Sequence, residues 1–337
     1  MKRALITGAG GFIGAHTLAH LMHNTGWQVV CLDSFRHRGK TDRIREMLTA
    51  HPDWHERTKV LMHDLNAPIS DQLIDLIGPI DYILNIASES HVDRSITDPV
   101  PFVRNNVELM LTMLEYARKI RPARFMQIST DEVYGAAPPD YEHPEWSPIL
   151  PSNPYSASKA AQEAIAISYW RTYDLPIIIT NTMNNFGEMQ DPEKFIPMLM
   201  KNIYEGKEAI IHGNEHKIGS RFYLHARNHA DALLFIIRNL GVAKYEDSDA
   251  ILMPDRYNVV GDVELDNLQV AKLIEEYVGK ELIYKLVDFH ATRPGHDRRY
   301  ALDGSKLKDL GWKPPIGFER SLQKTVAWTL QHPEWLL

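Results

Sequence analysis

The chain has 337 residues, 44% of them hydrophobic and 24% charged, as in ordinary globular proteins, and its length predicts two lobes or one large α/β unit. Its formal net charge of −7 argues against nucleic acid as a partner, because no basic stripe balances it. The lone cysteine, Cys31, excludes an intrachain disulfide framework, and no apolar run approaches the roughly 20 residues of a membrane span, so a cytoplasmic protein is expected.

Residues 1–35 predict a strand, a glycine turn, a helix and a second strand. Residues 4–7 are apolar, and the strand pattern at 28–33 ends in Asp33, 19 residues beyond the last glycine of the turn. The turn carries Gly8, Gly11 and Gly14. Such glycines let the backbone approach a pyrophosphate, and the acid binds a ribose 2′-hydroxyl, so the pattern favours NAD. Arg36 and Arg38, just beyond the acid, keep NADP as an alternative.

Further apolar runs predict the other strands of a parallel sheet, at 60–65, 81–87, 124–129 and 175–180. Helices are predicted over 97–120 and 153–173. Between them a Pro-rich loop at 136–151 is long enough for a lid or a dimer contact.

Beyond about residue 187 the alternation of strand and helix weakens. Two helix patterns there end at residues 205 and 328, and two more cover 233–240 and 267–278. Short strand patterns cover 209–213 and 257–260. We therefore expect a doubly wound parallel-sheet Rossmann domain over 1–187, which also receives later segments from about 221–260. A smaller C-terminal α/β substrate lobe takes mainly residues 188–337.

Tyr155 and Lys159 are four residues apart in the predicted helix and therefore share one face. A phenol is a poor base at neutral pH, since its ordinary pKa is about 10. An ammonium one turn away and a cationic nicotinamide stabilise the phenolate, which can then take a hydroxyl proton from a sugar carbon. A helical Tyr–Lys pair without a role is common, and it is the glycine turn that favours a redox function here.

Thr130, Asp131 and Glu132 follow the apolar run at 124–129, where a buried strand should end. In open α/β sheets ligands bind just outside the carboxyl ends of the strands. Because neighbours in a strand point to opposite faces, both acids can reach one substrate only if the backbone leaves extended geometry near Ser129, which we expect. Oxidation of a sugar at C4 acidifies its C5 proton. A carboxylate that removes this proton and a carboxylic acid that protonates the C6 hydroxyl then suit elimination of water.

The glycine turn is spaced G-x-x-G-x-x-G, and motifs follow at 89–96, 130–132, 155–160, 184–187, 192–197 and 293–301. Together, across nearly the whole chain, they resemble the dTDP-glucose 4,6-dehydratase family of extended short-chain dehydrogenase/reductases. The resemblance implies an NAD-dependent lyase of deoxysugar biosynthesis that makes a 4-keto-6-deoxy product from a nucleotide-hexose. That substrate would be dTDP-glucose first, with UDP-glucose or another one left open. A homodimer paired through the helices around 97–120 and 155–173 is also implied.

The resemblance further implies a role for each residue of the site. Tyr155 would be the base for C4 oxidation, Lys159 its electrostatic partner and Thr130 a hydrogen-bond partner of the C4 oxygen. Glu132 would take the C5 proton, and Asp131 would protonate the leaving C6 hydroxyl.

The implied ligand contacts involve no metal. Those to the cofactor come from Gly8, Gly11, Phe12, Ile13, Gly14, Asp33, Asp64 (at the adenine), Leu65, Ala87, Asn106, Tyr155 and Lys159. Those to the nucleotide sugar come from Ser90, His91, Asn185, Lys194, His212, Arg221, Arg293 and His296. Of these, Asn185, Arg221 and Arg293 would hold the diphosphate.

Some positions depart from the family pattern. Arg227 and Asn228 replace an acid pair, His212 replaces a Tyr, and Asn85 replaces a His. The nucleobase and the hexose therefore stay open. The alternative within the fold is a UDP-glucuronate decarboxylase or a C4 epimerase. Epimerases generally lack the Asp–Glu pair, and decarboxylases usually carry Ser in place of its Asp. A non-catalytic nucleotide-sensing module would tend to lose the Tyr or the Lys.

Overall fold

The structure is a computed structural model that describes residues 1–214, 217–245, 252–288 and 297–337. Its strands are β1 (Arg3–Thr7), β2 (Gln28–Asp33), β3 (Thr58–Met62), β4 (Tyr82–Asn85), β5 (Arg124–Thr130), β6 (Ile177–Thr182), β7 (Asn185–Phe186), β8 (Ala209–Asn214), β9 (Lys217–Ile218), β10 (Ser220–Phe222), β11 (Leu224–His225), β12 (Asp255–Val259), β13 (Glu264–Asp266) and β14 (Tyr284–Val287).

The helices pack around these strands. They are α1 (Phe12–Asn24), α2 (Thr41–Ala50), α3 (Asp71–Ile77), α4 (Val92–Thr97), α5 (Pro99–Ile120), α6 (Pro154–Tyr173), α7 (Phe195–Glu205), α8 (Ala226–Asn239), α9 (Asn267–Val278), α10 (Ser305–Asp309) and α11 (Phe318–Gln331). Short 3₁₀ helices cover Pro52–Arg57, Asp131–Tyr134 and Pro333–Leu336. Among the described residues no helix has the length and apolar character needed to cross a membrane.

The central sheet has seven parallel strands in the spatial order β3-β2-β1-β4-β5-β6-β12. This doubly wound order reverses its direction between β1 and β4, so the carboxyl ends of these two strands open the crevice where ligands bind. The expected Rossmann fold class is confirmed. Strand β12 comes from the second half of the chain and pairs with β6 from Asp255↔Ile178 to Val259↔Thr182.

Alternate residues of the central strands face two separate cores, as the period of a strand requires. Ala4 and Ile6 of β1 join the core that contains α1 and α8, whereas Leu5 joins the core of α5 and α6. Because both faces are covered, β1 and β2 are largely apolar rather than alternating. A third core, built from α7, α9, α11 and β8, belongs to the smaller lobe.

Some element boundaries differ from the sequence prediction for local reasons. The strand predicted at 60–65 ends at Met62, because its partner β2 ends opposite it at Asp33. The helix predicted at 97–120 begins two residues later, as α5, and a separate short helix, α4, ends before Asp98. The residue before a proline avoids helical geometry, and Asp98 precedes Pro99 with φ −140°. The helix expected at 233–240 begins seven residues earlier, after the cap His225, and α2 and α3 were not predicted.

Candidate active site

The backbone changes direction at the end of β5. Thr130 is still extended, with φ −139° and ψ 155°, and Asp131–Tyr134 then forms a 3₁₀ turn. This is the departure from extended geometry that the sequence predicted. As a result Asp131 and Glu132 both line one cavity of about 360 Å³, together with Tyr155 and Lys159 from α6.

Asp131 has the environment of a neutral carboxylic acid. Its side chain is buried, and burial raises its pKa to about 7, with the neighbouring charge of Glu132 adding to the shift. Thr130 Oγ1 donates a hydrogen bond to Asp131 Oδ1 at 2.8 Å. Asp131 Oδ2 is buried and has no partner among the described residues. An acid placed in this way can give its proton to a group that enters the cavity.

Glu132 is held from two sides. Its Oε2 accepts a hydrogen bond from Asn153 Nδ2 at 3.2 Å and one from the Tyr300 hydroxyl at 3.4 Å. Burial raises the pKa of Glu132, while the bond from Asn153 and the charge of Arg221 oppose this shift. The two adjacent carboxyls therefore differ in hydrogen bonding, which lets them hold different protonation states.

The helix that carries Tyr155 and Lys159 begins with a capping box made by Asn153 and Ser156, and Pro154 stands in its first turn. Lys159 Nζ donates to Ile128 O and to Gln162 Oε1, both at 2.7 Å. Burial lowers the pKa of this ammonium to about 8.

Burial moves the phenol of Tyr155 in the opposite direction. It raises the pKa of Tyr155 above its ordinary value, and the charge of Glu132 adds to this effect. A hydrogen bond with Thr130 opposes it. Tyr155 therefore needs a positive charge nearby before it can act as a base.

The glycine turn fits a dinucleotide. Gly8 has φ +69°, and a Cβ on Gly14 would lie 2.1 Å from Gly8 O, so both positions require glycine. Helix α1 starts after Gly11 without a side-chain cap, which leaves its first N–H groups for a phosphate. Asp33 at the end of β2 accepts hydrogen bonds from Gly10 N at 2.8 Å and Phe35 N at 2.7 Å.

Ion pairs join the loop after β2 and helix α2 to the segment at 191–193. Arg38 pairs with Glu193, and the buried Arg43 pairs with Asp191 at 3.1 Å. Arg43 also donates to Gly10 O at 2.9 Å, so it ties the glycine turn to the loop at 189–191. These contacts hold the glycine turn against the segment at 189–193.

Most of the predicted site residues line this one cavity. They are Gly8, Gly11, Phe12, Ile13, Gly14, Asp33, Asp64, Leu65, Ala87, Ser90, Thr130, Asp131, Glu132, Tyr155, Lys159, Asn185 and Lys194. Asn106 lies behind the wall, where it is buried and bonded to the Glu89 backbone and to Ser158 Oγ at 2.8 Å.

The remaining predicted substrate residues lie elsewhere. His91 caps α4, and His212 belongs to β8. Arg221 lies on β10, with its guanidinium 4.5 Å from the ring centre of Tyr300. Arg293 and His296 lie outside the described residues.

Sequence reasoning missed several residues of the site. Asn153 precedes a proline and fits a helix cap by its residue type, but its bond to Glu132 joins positions 21 residues apart. Tyr300 contacts Glu132 across 168 residues of sequence, and Arg43 contacts Met189 across 146. No local sequence pattern predicts such contacts. Glu89 and Glu193 belong to motifs that carry the family resemblance, and both line the cavity.

Comparisons with known proteins agree with this geometry. The sequence matches the family model described as GDP-mannose 4,6 dehydratase over residues 5–325. It is 36% identical to dTDP-glucose 4,6-dehydratase of Escherichia coli, over 99% of this chain and 94% of the relative. It is 37% identical to the low-salt glycan biosynthesis protein Agl12 of Haloferax volcanii, over 98% of this chain and 99% of the relative. A dTDP-glucose 4,6-dehydratase structure from Streptomyces venezuelae, solved with NAD bound, has a TM-score of 0.85 at 31% identity. The match covers 99% of this chain and 98% of that one.

Proposed function

The chain belongs to the family described as GDP-mannose 4,6 dehydratase and is 36% identical to a dTDP-glucose 4,6-dehydratase. From this premise we infer that it is an NAD-dependent nucleotide-hexose 4,6-dehydratase. One observation carries the inference. Two adjacent carboxyls in different hydrogen-bonding environments, Asp131 and Glu132, face the same cavity as Tyr155. An epimerase has no use for this pair, whereas elimination of water requires an acid and a base.

We propose the following roles for the side chains. Tyr155 takes the proton of the C4 hydroxyl, and the Lys159 ammonium stabilises the phenolate. Bound NAD supplies the oxidant for C4 and returns the same electrons to C6. The contacts that suit it are the glycine turn with the free N-terminus of α1 and the carboxylate of Asp33.

Elimination falls to the two acids. Glu132, held by Asn153 and Tyr300, removes the C5 proton. Asp131, protonated because its pKa is raised to about 7, gives its proton to the departing C6 hydroxyl, which leaves as water. Thr130 orients Asp131 through their hydrogen bond and stands beside Tyr155.

The substrate we propose first is dTDP-glucose, since that is what the names of the Escherichia coli and Streptomyces venezuelae proteins state. We propose that the lobe over 188–337 holds its nucleotide. Asn185 and Lys194 line the cavity on that side, and Arg221 lies close enough to act on the charge of Glu132. Incubation with dTDP-, UDP-, GDP- and CDP-glucose, followed by assay for a 4-keto product, tests the choice. If UDP-glucose alone is converted, it would take the place of dTDP-glucose as the proposed substrate.

The reaction type is tested in deuterated water. Glu132 removes the C5 proton, and C5 takes up a solvent-derived proton when hydride returns to C6, so the product should carry deuterium at C5. Product without deuterium at C5 would rule out elimination by proton abstraction. An epimerase would instead return a hexose that keeps its C6 hydroxyl, and mass spectrometry separates the two outcomes by the loss of water.

We also propose a cytoplasmic homodimer paired through α5 and α6. Exposed apolar side chains on these helices, Val100 and Leu111 on α5 and Tyr173 on α6, favour such a contact. The free thiol of the buried Cys31 suits a reducing compartment. Light scattering of Leu111→Glu against the parent chain tests the assembly, and an unchanged molar mass would count against this interface.

A further inference from the structure

A chain of buried polar side chains begins at the loop after β4. Thr7 Oγ1 accepts hydrogen bonds from Ile86 N and Ala87 N, each at 3.1 Å. It donates to Asn85 Oδ1 at 2.8 Å. Asn85 Nδ2 in turn donates to Gln127 Oε1 at 2.7 Å, across the sheet from β4 to β5. Ala87 lines the cavity, so the chain starts at its wall.

The same chain ends at Lys159. Gln127 Nε2 donates to Gln162 Oε1 at 3.0 Å, and Lys159 Nζ donates to that same oxygen at 2.7 Å. Gln162 Nε2 donates to Asn106 O at 2.7 Å. The side chains are all buried: Thr7, Asn85, Gln127, Gln162 and Lys159. Buried polar groups are expected to be hydrogen-bonded, but an unbroken line of three amides ending at a proposed catalytic group goes beyond that need.

The direction of this chain is determined at its start. A hydroxyl has one proton, and the two backbone N–H groups of the loop occupy Thr7 Oγ1 as an acceptor, so Thr7 must donate. Asn85 therefore turns its oxygen to Thr7 and its nitrogen to Gln127. By the same logic Gln127 turns its nitrogen to Gln162. Gln162 is left with its oxygen facing the ammonium of Lys159.

We propose that Gln162 is a positioning residue of the active site: directed by the amide chain from Thr7, its oxygen and Ile128 O hold the Lys159 ammonium charged and on the Tyr155 face of α6. The inference rests on the proposed function, because it takes Tyr155 as the base. Two of the three protons of the ammonium are thereby assigned, and the third remains for the cavity. The chemistry that Lys159 must supply is a positive charge, and carbonyl oxygens stabilise that charge without neutralising it.

One charged group nearby also acts on the ammonium. The charge of Glu163, next on the helix, opposes the lowering of the Lys159 pKa, while its carboxylate pairs with Arg256 at 2.7 Å and accepts from Asn181 at 2.8 Å. Strand β6 carries no titratable residue, and Arg104 and Glu108 of α5 are exposed. Of the titratable groups on these elements, Tyr155, Asp131, Glu132 and Arg94 line the same cavity as Lys159.

Two substitutions should move the pKa of Lys159 in opposite directions. Gln162→Leu removes an acceptor of the ammonium and should lower the pKa. Gln162→Glu keeps the shape but adds a negative charge, and should raise it. A hydrogen bond to a charged group corresponds to a change of about one pH unit in the pKa. A purely structural role would not produce changes of opposite sign.

The measurement is an NMR titration of ¹³Cε-lysine in the NAD-loaded protein without substrate, with the signal assigned by Lys159→Arg. The basic limb of the pH–kcat profile should follow the same two directions. Thr180→Val is the matched control: Thr180 is buried in β6 and its hydroxyl has no partner among the described residues, so neither readout should move. Circular dichroism checks that each variant is folded.

Opposite changes of the Lys159 pKa in the two variants support the proposal. An unchanged Lys159 pKa, or changes of one sign in both variants, would overturn it. If Gln162→Leu does not fold, Gln162→Glu alone decides, since a pKa that fails to rise contradicts the role. The proposed function fails separately, when the parent chain yields no 4-keto product. The titration still reports on the amide chain in that case.

Discussion

Asn153 donates a hydrogen bond from Nδ2 to Glu132 Oε2 at 3.2 Å, while its Oδ1 accepts from Ser156 N at 2.9 Å. One side chain thus caps the helix that carries Tyr155 and also holds the proposed base of the elimination. The geometry of the helix cap therefore sets how Glu132 stands relative to Tyr155, and a change at Asn153 can separate stability from chemistry.

Asn153→Asp should keep the cap but lose the donor, since Asp caps helices about as well as Asn. Its carboxylate would face Glu132, and a like charge raises the pKa of that acid. Glu132 must be ionised to accept the C5 proton, so the acidic limb of the kcat profile should move to higher pH. Asn153→Ser, a cap without the charge, is the control and should leave that limb nearer its original place. An acidic limb that stays put in Asn153→Asp would contradict the role of this contact.

Asp131→Asn should slow loss of the C6 hydroxyl more than C4 oxidation. The amide cannot give up a proton as the carboxylic acid does, and general acid catalysis contributes roughly 10²–10⁴-fold. Rapid-quench sampling should therefore reveal 4-ketohexose that retains its C6 hydroxyl. Asp75→Asn makes the same chemical change at an exposed position of α3 and should be silent. Equal slowing of both steps would exclude the acid role.

The pH dependence of the protein's stability should reflect the raised pKa of Asp131. Its pKa is raised from 3.8 to about 7 in the folded state, so its carboxyl favours folding below the unfolded value, and this contribution is lost as pH rises toward 7. A difference of one pH unit between the folded and unfolded pKa corresponds to about 1.4 kcal/mol. Asp131→Asn removes this dependence. In urea titrations the variant should gain stability relative to the parent chain between pH 4 and pH 7, and a constant difference would contradict burial of an ionisable acid there.

Local patterns made most of the fold and of the residues that line the cavity predictable. The glycine turn, Asp33 and the Thr130–Glu132 motif each follow an apolar strand directly, so their position at the carboxyl edge of the sheet follows from parallel topology. Contacts such as Tyr300 with Glu132 join segments 168 residues apart. They depend on how segments far apart in the sequence pack together, which no spacing in one sequence encodes.

Cofactor choice should depend on two acids rather than one. Asp33 repels a 2′-phosphate, but Arg36 also stands nearby and is held by Asp64 Oδ1 at 2.8 Å. Asp33→Ser should therefore weaken NAD binding about tenfold, or about 1.4 kcal/mol, with little gain in NADP affinity. Asp33→Ser with Asp64→Asn frees Arg36 and should gain NADP affinity. Fluorescence titration with both cofactors measures this, and adding Arg36→Gln should cancel the gain. Equal NADP affinity in the single and double variants would show that Asp64 does not restrain Arg36.

Arg43 should contribute to both stability and NAD retention. Its guanidinium is fully buried, pairs with Asp191 at 3.1 Å, and donates to Gly10 O, Arg38 O and Met189 O. Arg43→Met leaves these acceptors and a buried carboxylate unpaired, which costs about 3–5 kcal/mol. Urea unfolding should report that loss, and the purified protein should contain less NAD because the glycine turn is no longer tied to the loop at 189–191.

The same helix provides the control for this prediction. Arg45, two residues on, has a side chain that is 71% exposed and pairs along the helix with Asp42. Arg45→Met removes the same charge and keeps a good helix former, so stability and NAD content should both stay close to the parent chain. Arg43→Lys should resemble Arg43→Met, since one ammonium cannot replace the fork of donors that reaches three segments. Full NAD content in Arg43→Met, with Arg45→Met equally destabilised, would mean that net charge rather than this buried guanidinium is responsible.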